Sequence, residues 1–144
     1  MPDNYVPAEL RRLVTARAQG CCEYCRTQTR FTGDPFALDH IFPTSLGGLT
    51  VTENLAFSCT GCNQCKGARI SAIDPMTELL APLYHPRLQN WDDHFEWSDD
   101  FTRLSGLTAS GNATIAALQL NRAGLVNLRR VLFKAGLHPP QLGL

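Results

Sequence analysis

The chain has 144 residues, which suffices for one ordinary domain or for a small domain with an appendage. Hydrophobic residues make up 44% and charged residues 18%, a composition that excludes a disordered or fibrous protein. Thirteen Lys and Arg balance 13 Asp and Glu, so overall charge neither indicates nucleic-acid binding nor excludes a local basic patch.

The sequence gives no sign of a membrane protein or of a secreted one. No apolar run approaches the roughly 18 residues that span a bilayer. The N-terminus Met1–Asn4 lacks the basic start and the apolar stretch of a secretory signal. By elimination, we expect a cytoplasmic protein without membrane contact.

The predicted elements of the first half are a helix, two short strands and a second helix. The first helix begins near Pro7, which suits a first turn, and ends near Gly20. Strands are predicted at residues 36–41 and 54–58, with Pro43 ending the first because proline cannot donate to a ladder. The second helix is predicted to begin near Asn63.

The division at residue 73 separates a predicted core, residues 1–73, from a C-terminal extension, residues 74–144, packed on it. Prolines predict an irregular start to the extension. Residues 110–112 predict a turn, and residues 122–135 predict a helix capped by Asn121 and stopped by Gly136. Together with a shorter helical turn before it, this helix has an apolar stripe of Ile115, Leu118, Leu125, Leu128 and Leu132.

The six cysteines form two clusters, which in a cytosolic chain is typical of metal ligands. Cys22 with Cys25 and Cys59 with Cys62 make two C-x-x-C pairs, and four thiolates satisfy tetrahedral zinc without an open position. We therefore predict a structural zinc. Cys21 and Cys65 could also be ligands, since Cys62 and Cys65 make another C-x-x-C pair. The two matched pairs favour the first assignment and leave Cys21 and Cys65 as packing residues. Buried free cysteines or a redox pair are the alternatives.

Oxygen donors and one imidazole lie between and directly after these cysteine pairs: Asp39, His40, Asn54 and Asn63. Three segments, C-E-Y-C at 22–25, L-D-H-I-F-P-T-S-L-G-G-L-T at 38–50 and E-N-L-A-F-S-C-T-G-C-N-Q-C-K-G at 53–67, closely resemble the HNH endonuclease family. In the remainder, N-W-D-D-H-F-E-W and the G-L-T…L-N-R…H-P-P pattern are similar to a C-terminal extension of some bacterial HNH proteins.

The resemblance implies an α+β fold, in which a ββα-metal finger is stapled by the structural zinc and flanked by an N-terminal helix and a mainly helical extension. It implies that His40 is the general base and that Asp39 is an acidic ligand of one divalent cation. Asn54 would orient the hairpin and the base. Asn63 stands where His is commoner and would be the second ligand, which makes the chain an H-N-N variant.

The implied chemistry agrees with these residue types. A neutral imidazole, with a pKa of about 6.5, can take a proton from water near neutral pH. One Asp and one Asn suit Mg²⁺ or Mn²⁺. Lys66, three residues after Asn63 on nearly the same helical face, is predicted to contact a phosphate.

We therefore predict a metal-dependent endonuclease that hydrolyses DNA and contacts mostly its phosphate backbone. A homodimer is left open. The alternative is a non-catalytic zinc module, on a degenerate HNH scaffold, that binds nucleic acid or protein. The remaining histidines, His85, His94 and His138, are predicted to be structural. The predicted solvated face of the last helix carries Arg122, Arg129 and Arg130.

Overall fold

The computed structural model describes residues 5–143, so Met1–Asn4, where no secretory signal is expected, lie outside the described residues. Within them, the strands form three two-stranded antiparallel sheets, each made by strands that are consecutive in the chain. The elements are α1 (Ala8–Arg17), β1 (Ala37–His40), β2 (Leu55–Ser58), α2 (Thr60–Lys66), β3 (Ser71–Ile73), β4 (Leu80–Pro82), β5 (Phe95–Trp97), β6 (Leu104–Gly106), α3 (Ala109–Leu118) and α4 (Ala123–Lys134). No helix in this range is long and apolar enough to cross a membrane.

The hairpin of β1 and β2, followed directly by α2, is the ββα unit expected from the sequence. The register places Asp39 opposite Ala56 and His40 opposite Leu55. Helix α2 begins earlier than predicted, at Thr60, because Cys59 caps it: its Sγ accepts a hydrogen bond from the Cys62 N–H. The cysteine pair and the helix start are therefore one local structure.

Helix α1 is anchored to the base of this hairpin. Val14 is fully buried, and the Arg17 guanidinium donates to the carbonyls of Thr52 and Leu55 at 3.0 and 2.8 Å. Arg17 is exposed, and its two hydrogen bonds attach helix α1 to the hairpin.

The extension contains more sheet than the proline spacing predicts, because β3–β4 and β5–β6 are both hairpins. The predicted turn at residues 110–112 is wrong, since these residues lie inside α3, whose first turn is capped by the Thr108 side chain. The Asn121 cap is also wrong. Its amide instead pairs with the backbone N–H and carbonyl of Leu104, at 2.7 and 2.9 Å, and Arg122 occupies the N-cap position of α4.

One apolar cluster joins the two halves of the chain. It includes Val14, Tyr24, Leu55, Trp91, Phe95, Leu118 and Leu120. Trp91 and Phe95 are buried within it. The zinc-ligand candidates Cys22 and Cys62 belong to the same cluster, so the extension packs around the cysteine site.

Candidate metal centre and active site

The four cysteines of the matched C-x-x-C pairs come together at one point in the core. The Sγ atoms of Cys22, Cys25, Cys59 and Cys62 all lie within 4.8 Å of one another. The Sγ atoms of Cys25 and Cys59 are 3.7 Å apart. Four sulfurs at Zn–S distances of about 2.3 Å are separated by about 3.8 Å in a tetrahedron, so the arrangement fits zinc.

The two pairs have the same local geometry. The Cys25 N–H donates to Cys22 Sγ at 3.5 Å, and the Cys62 N–H donates to Cys59 Sγ at 3.4 Å. Hydrogen bonds among the four cysteines lower the pKa of Cys59 and raise the pKa of Cys62, and zinc binding would require all four thiols to lose their protons.

The register predicted from the sequence is confirmed. All six cysteines are free of disulfides, and Cys21 and Cys65 lie outside the four-sulfur cluster. Cys21 is buried and Cys65 is half-buried against the core, so both act as packing residues. Four thiolates leave no open position on a tetrahedral zinc ion, so the cluster suits a structural ion rather than a catalytic one.

Asp39 lies on β1 and is buried against two hydrogen-bond donors. The Tyr24 hydroxyl donates to Oδ2 at 2.7 Å, and Lys66 Nζ lies 3.2 Å from Oδ1 and 3.1 Å from Oδ2. Burial raises the pKa of Asp39, whereas Lys66 and the Tyr24 hydrogen bond oppose this shift. Tyr24, inside the C-E-Y-C motif, is a site residue that sequence reasoning missed.

Lys66 lies on α2 after Asn63, as predicted, but its ammonium contacts the hairpin. Its side chain is only 1% exposed, and Nζ also donates to the carbonyls of His40 and Ile41 at 3.4 and 3.2 Å. The predicted phosphate contact is therefore wrong for this arrangement, because the ammonium already has an acidic partner and is shielded from solvent. Helical spacing from Asn63 defines a face but does not say whether that face meets solvent or the hairpin.

His40 ends β1 and points to a different partner from that of Asp39. Its Nε2 lies 2.9 Å from the Thr50 hydroxyl, and the residue is 9% exposed. Burial lowers the pKa of His40, with Lys66 acting in the same direction and Asp39 against it. The imidazole is therefore neutral near neutral pH, as a proton acceptor must be. Thr50 was not identified from the sequence.

Asn54 closes the long loop between the two strands. Its Oδ1 accepts from the Phe42 N–H at 2.8 Å, and its Nδ2 donates to the carbonyls of Phe42 and Leu49 at 3.0 and 2.9 Å. Its own carbonyl accepts from the Ile41 N–H at 2.9 Å. Asn54 therefore fixes the backbone that follows His40.

Asn63 is half-buried on α2, one helical turn before Lys66. Within residues 5–143, its side chain has no hydrogen-bond partner. The structure thus joins Asp39, His40 and Lys66 by direct contacts but leaves Asn63 outside that network. Asp39 Oδ1 receives one hydrogen bond, from Lys66, and can therefore still accept a further contact. The Asp39 carboxylate and the Asn63 amide oxygen are ligand types that suit a hard cation.

The other histidines have local partners, in agreement with a structural role. His85 Nδ1 accepts from backbone N–H groups of its own turn, and His94 Nδ1 lies 2.6 Å from the Thr108 hydroxyl. His138 Nε2 lies 2.9 Å from the Phe101 carbonyl. The expected solvated face of α4 is only partly correct, since Arg122 and Arg129 turn inward while Arg130 is exposed.

Comparison with known proteins assigns this part of the chain. Residues 22–73 match the family model described as HNH endonuclease. No curated protein and no solved structure gave a significant match. The matched stretch contains both cysteine pairs, the ββα unit and the Asp39–His40 pair. Residues 22–73 of this chain are therefore similar to the HNH endonuclease family.

Proposed function

We propose that the protein is a metal-dependent endonuclease that hydrolyses phosphodiester bonds in DNA. The observation that carries this proposal is His40, a neutral imidazole held at the end of β1 by Thr50 and placed beside an acidic residue. The family match over residues 22–73 supports a nuclease-type function, and the proposal extends it to DNA and to hydrolysis.

His40 acts as the general base in this proposal. In the tautomer that this role requires, Nε2–H donates to the Thr50 hydroxyl and the Nδ1 lone pair is left to accept a proton. A water molecule gives its proton to Nδ1 as its oxygen bonds to phosphorus. The bond from phosphorus to the leaving sugar oxygen then breaks, and that oxygen takes a proton from solvent.

Asp39 and Asn63 are the residues that we propose to hold one divalent cation, Mg²⁺ or Mn²⁺. When bound, such a cation neutralises charge on the phosphoryl group and on the leaving oxygen. The hydrogen bonds from Tyr24 and Lys66 orient the Asp39 carboxylate. Lys66 also favours its ionised form, which burial alone would disfavour.

Asn54 is proposed to position the base. Its three side-chain hydrogen bonds fix the backbone at Phe42 and at Leu49, the residue directly before Thr50. Because Thr50 holds the imidazole, a shift in this loop would move Nδ1 away from the attacking water.

The partner in this proposal is DNA, bound mostly through its phosphate backbone, which carries no sequence information by itself. The net charge of zero gives no long-range attraction to DNA, so we expect binding to depend on local contacts and on the bound cation. We place the protein in the cytoplasm and without a membrane partner. A homodimer remains the oligomeric alternative to a monomer.

One observation favours the alternative of a non-catalytic zinc module. The Lys66 ammonium neutralises Asp39, the one carboxylate among the four predicted site residues Asp39, His40, Asn54 and Asn63. A divalent ion would have to share that carboxylate with a positive charge. If Lys66 excludes the ion, the same scaffold would bind nucleic acid or protein without cutting.

A nicking assay separates the two functions. Zinc-loaded protein, freed of other metals, is incubated with supercoiled plasmid or single-stranded DNA and with Mg²⁺, Mn²⁺ or Ni²⁺ in turn. The endonuclease proposal predicts open-circular product with Mg²⁺ or Mn²⁺ and none with chelator. Retarded migration of DNA without nicking, under every metal, would support the binding module instead.

A further inference from the structure

Arg122 of the extension reaches the cysteine cluster of the HNH domain. Its Nη2 lies 3.5 Å from Cys59 Sγ, and its two terminal nitrogens lie 3.7 and 3.8 Å from Cys62 Sγ. Nη1 also donates to the carbonyls of Leu118 and Gln119, at 3.1 and 3.2 Å, which holds the guanidinium in place.

Gly61, which lies between Cys59 and Cys62, leaves room for this guanidinium. A Cβ at Gly61 would lie 2.5 Å from Arg122 Nη2, so a side chain at position 61 would displace the arginine. A guanidinium keeps its proton at any ordinary pH. Arg122 is therefore held as a cation beside the sulfurs.

Arg129 approaches the first cysteine pair from α4. Its side chain is 3% exposed, its Nη2 donates to the Cys25 carbonyl at 3.4 Å and its Nη1 donates to the Thr102 carbonyl at 3.1 Å. Among the described residues, the ion pairs are Lys66 with Asp39 and Arg87 with Glu23, so Arg129 is buried there without a carboxylate. A buried cation without a counterion is strongly unfavourable.

The zinc centre supplies the missing negative charge. One Zn²⁺ with four thiolates has a net charge of about −2, and Arg122 and Arg129 together carry two positive charges. A third contact from the extension ties it to the same cluster, since Trp91 Nε1 donates to the Tyr24 carbonyl between Cys22 and Cys25 at 2.9 Å. The extension therefore touches both cysteine pairs.

We propose that the extension stabilises the zinc centre, with Arg122 donating to the Cys59 and Cys62 thiolates and Arg129 balancing the remaining charge. Arg122 and Arg129 are positioning residues in this role, since they act on the ligands rather than on a substrate. The proposal assigns a role to the L-N-R motif and does not depend on nuclease activity.

The first test is the rate at which zinc passes from the folded protein to a chromogenic chelator. The variants are Arg122→Gln and Arg129→Gln, and the matched control is Arg130→Gln, because Arg130 is exposed on the same helix and bonds Asn127 at 3.1 Å. Loss of an outer hydrogen-bonding partner commonly weakens metal binding by about 10- to 100-fold. We expect release to be at least about 10-fold faster in both inward variants and unchanged in the control. Equal rates in Arg122→Gln and Arg130→Gln would overturn the proposal.

The second test separates hydrogen bonding to sulfur from a general loss of stability. Co²⁺ is substituted for zinc, and the sulfur-to-cobalt charge-transfer band is recorded. Removing N–H donors raises the energy of the sulfur lone pairs, so the band of Arg122→Gln should move to lower energy. Arg122→Lys, which keeps a charged donor, should restore part of the shift. A band that stays at the wild-type position in Arg122→Gln would contradict the proposal even if zinc release is faster.

Discussion

Replacing Lys66 by Met tests the buried pair beside His40. Lys66 Nζ lies 3.1 Å from Asp39 Oδ2, and at an effective dielectric constant of about 20 the gross attraction of two unit charges at that distance is about 5 kcal/mol. Met fills a similar volume but leaves Asp39 with the Tyr24 hydroxyl as its remaining side-chain partner in the described structure. It also leaves the carbonyls of His40 and Ile41 without the lysine donor.

Removing one partner of a buried ion pair typically destabilises a protein by about 3–5 kcal/mol. We expect a loss of that size in the unfolding free energy of zinc-loaded Lys66→Met, measured by urea denaturation at pH 7.5. It would be a large share of the total stability of an ordinary domain, which is about 5–15 kcal/mol.

The chain offers a matched control and a rescue for this measurement. Lys134 is the other lysine and is exposed at the end of α4, so Lys134→Met should change stability by no more than about 0.5 kcal/mol. Adding Asp39→Asn to Lys66→Met removes the uncompensated charge and should recover part of the loss. A loss below about 1 kcal/mol in Lys66→Met, or no recovery in the double variant, would refute the argument for a buried, mutually dependent pair.

Three further predictions concern the zinc, the loop and a buried histidine. Cys59→Ser should bind no stoichiometric zinc and should lose the fold by circular dichroism, because structural zinc contributes folding free energy directly; a folded, zinc-free variant would contradict this. Asn54→Ala removes three side-chain hydrogen bonds and should lower the urea unfolding free energy by about 1–3 kcal/mol, with faster amide exchange at residues 41–53; unchanged exchange would count against a bracing role. Burial lowers the pKa of His138, so the unfolded state binds its proton more readily and stability is lost as pH falls below about 6.5. His138→Gln should therefore lose less unfolding free energy than the wild type between pH 7.5 and 5.5. Protonation of the zinc ligands affects both proteins alike. Equal losses in the two proteins would exclude a contribution from His138.

The sequence predicted the parts of the site that depend on local spacing. A two-residue gap places both sulfurs of a C-x-x-C pair on one turn, so Cys22, Cys25, Cys59 and Cys62 were identified without the structure. The short strands and the helix between and after these pairs were also predicted, to within a few residues. The family motif covers the same stretch, and the match over residues 22–73 confirms it.

The sequence did not predict contacts that depend on how distant segments pack. Helical spacing put Lys66 near Asn63 but did not show that its face meets Asp39, 27 positions earlier in the chain. The same reason explains Arg122, which was predicted on a solvated helix face and instead lies against sulfurs some 60 positions earlier. Asn121 is a residue type that often caps helices. Its side-chain amide instead pairs with the backbone N–H and carbonyl of Leu104 in the β5–β6 hairpin, so it does not cap α4.

The most direct measurement of the central claim compares wild type and His40→Ala on supercoiled plasmid with Mg²⁺ or Mn²⁺. Zinc content and urea denaturation are determined for both proteins, so that loss of cutting can be separated from loss of fold. We predict that wild type forms open-circular DNA, that His40→Ala keeps its zinc and fold, and that it forms none above the metal-only background. Cutting at the wild-type rate by folded His40→Ala, or inert wild type with every divalent ion, would contradict the account.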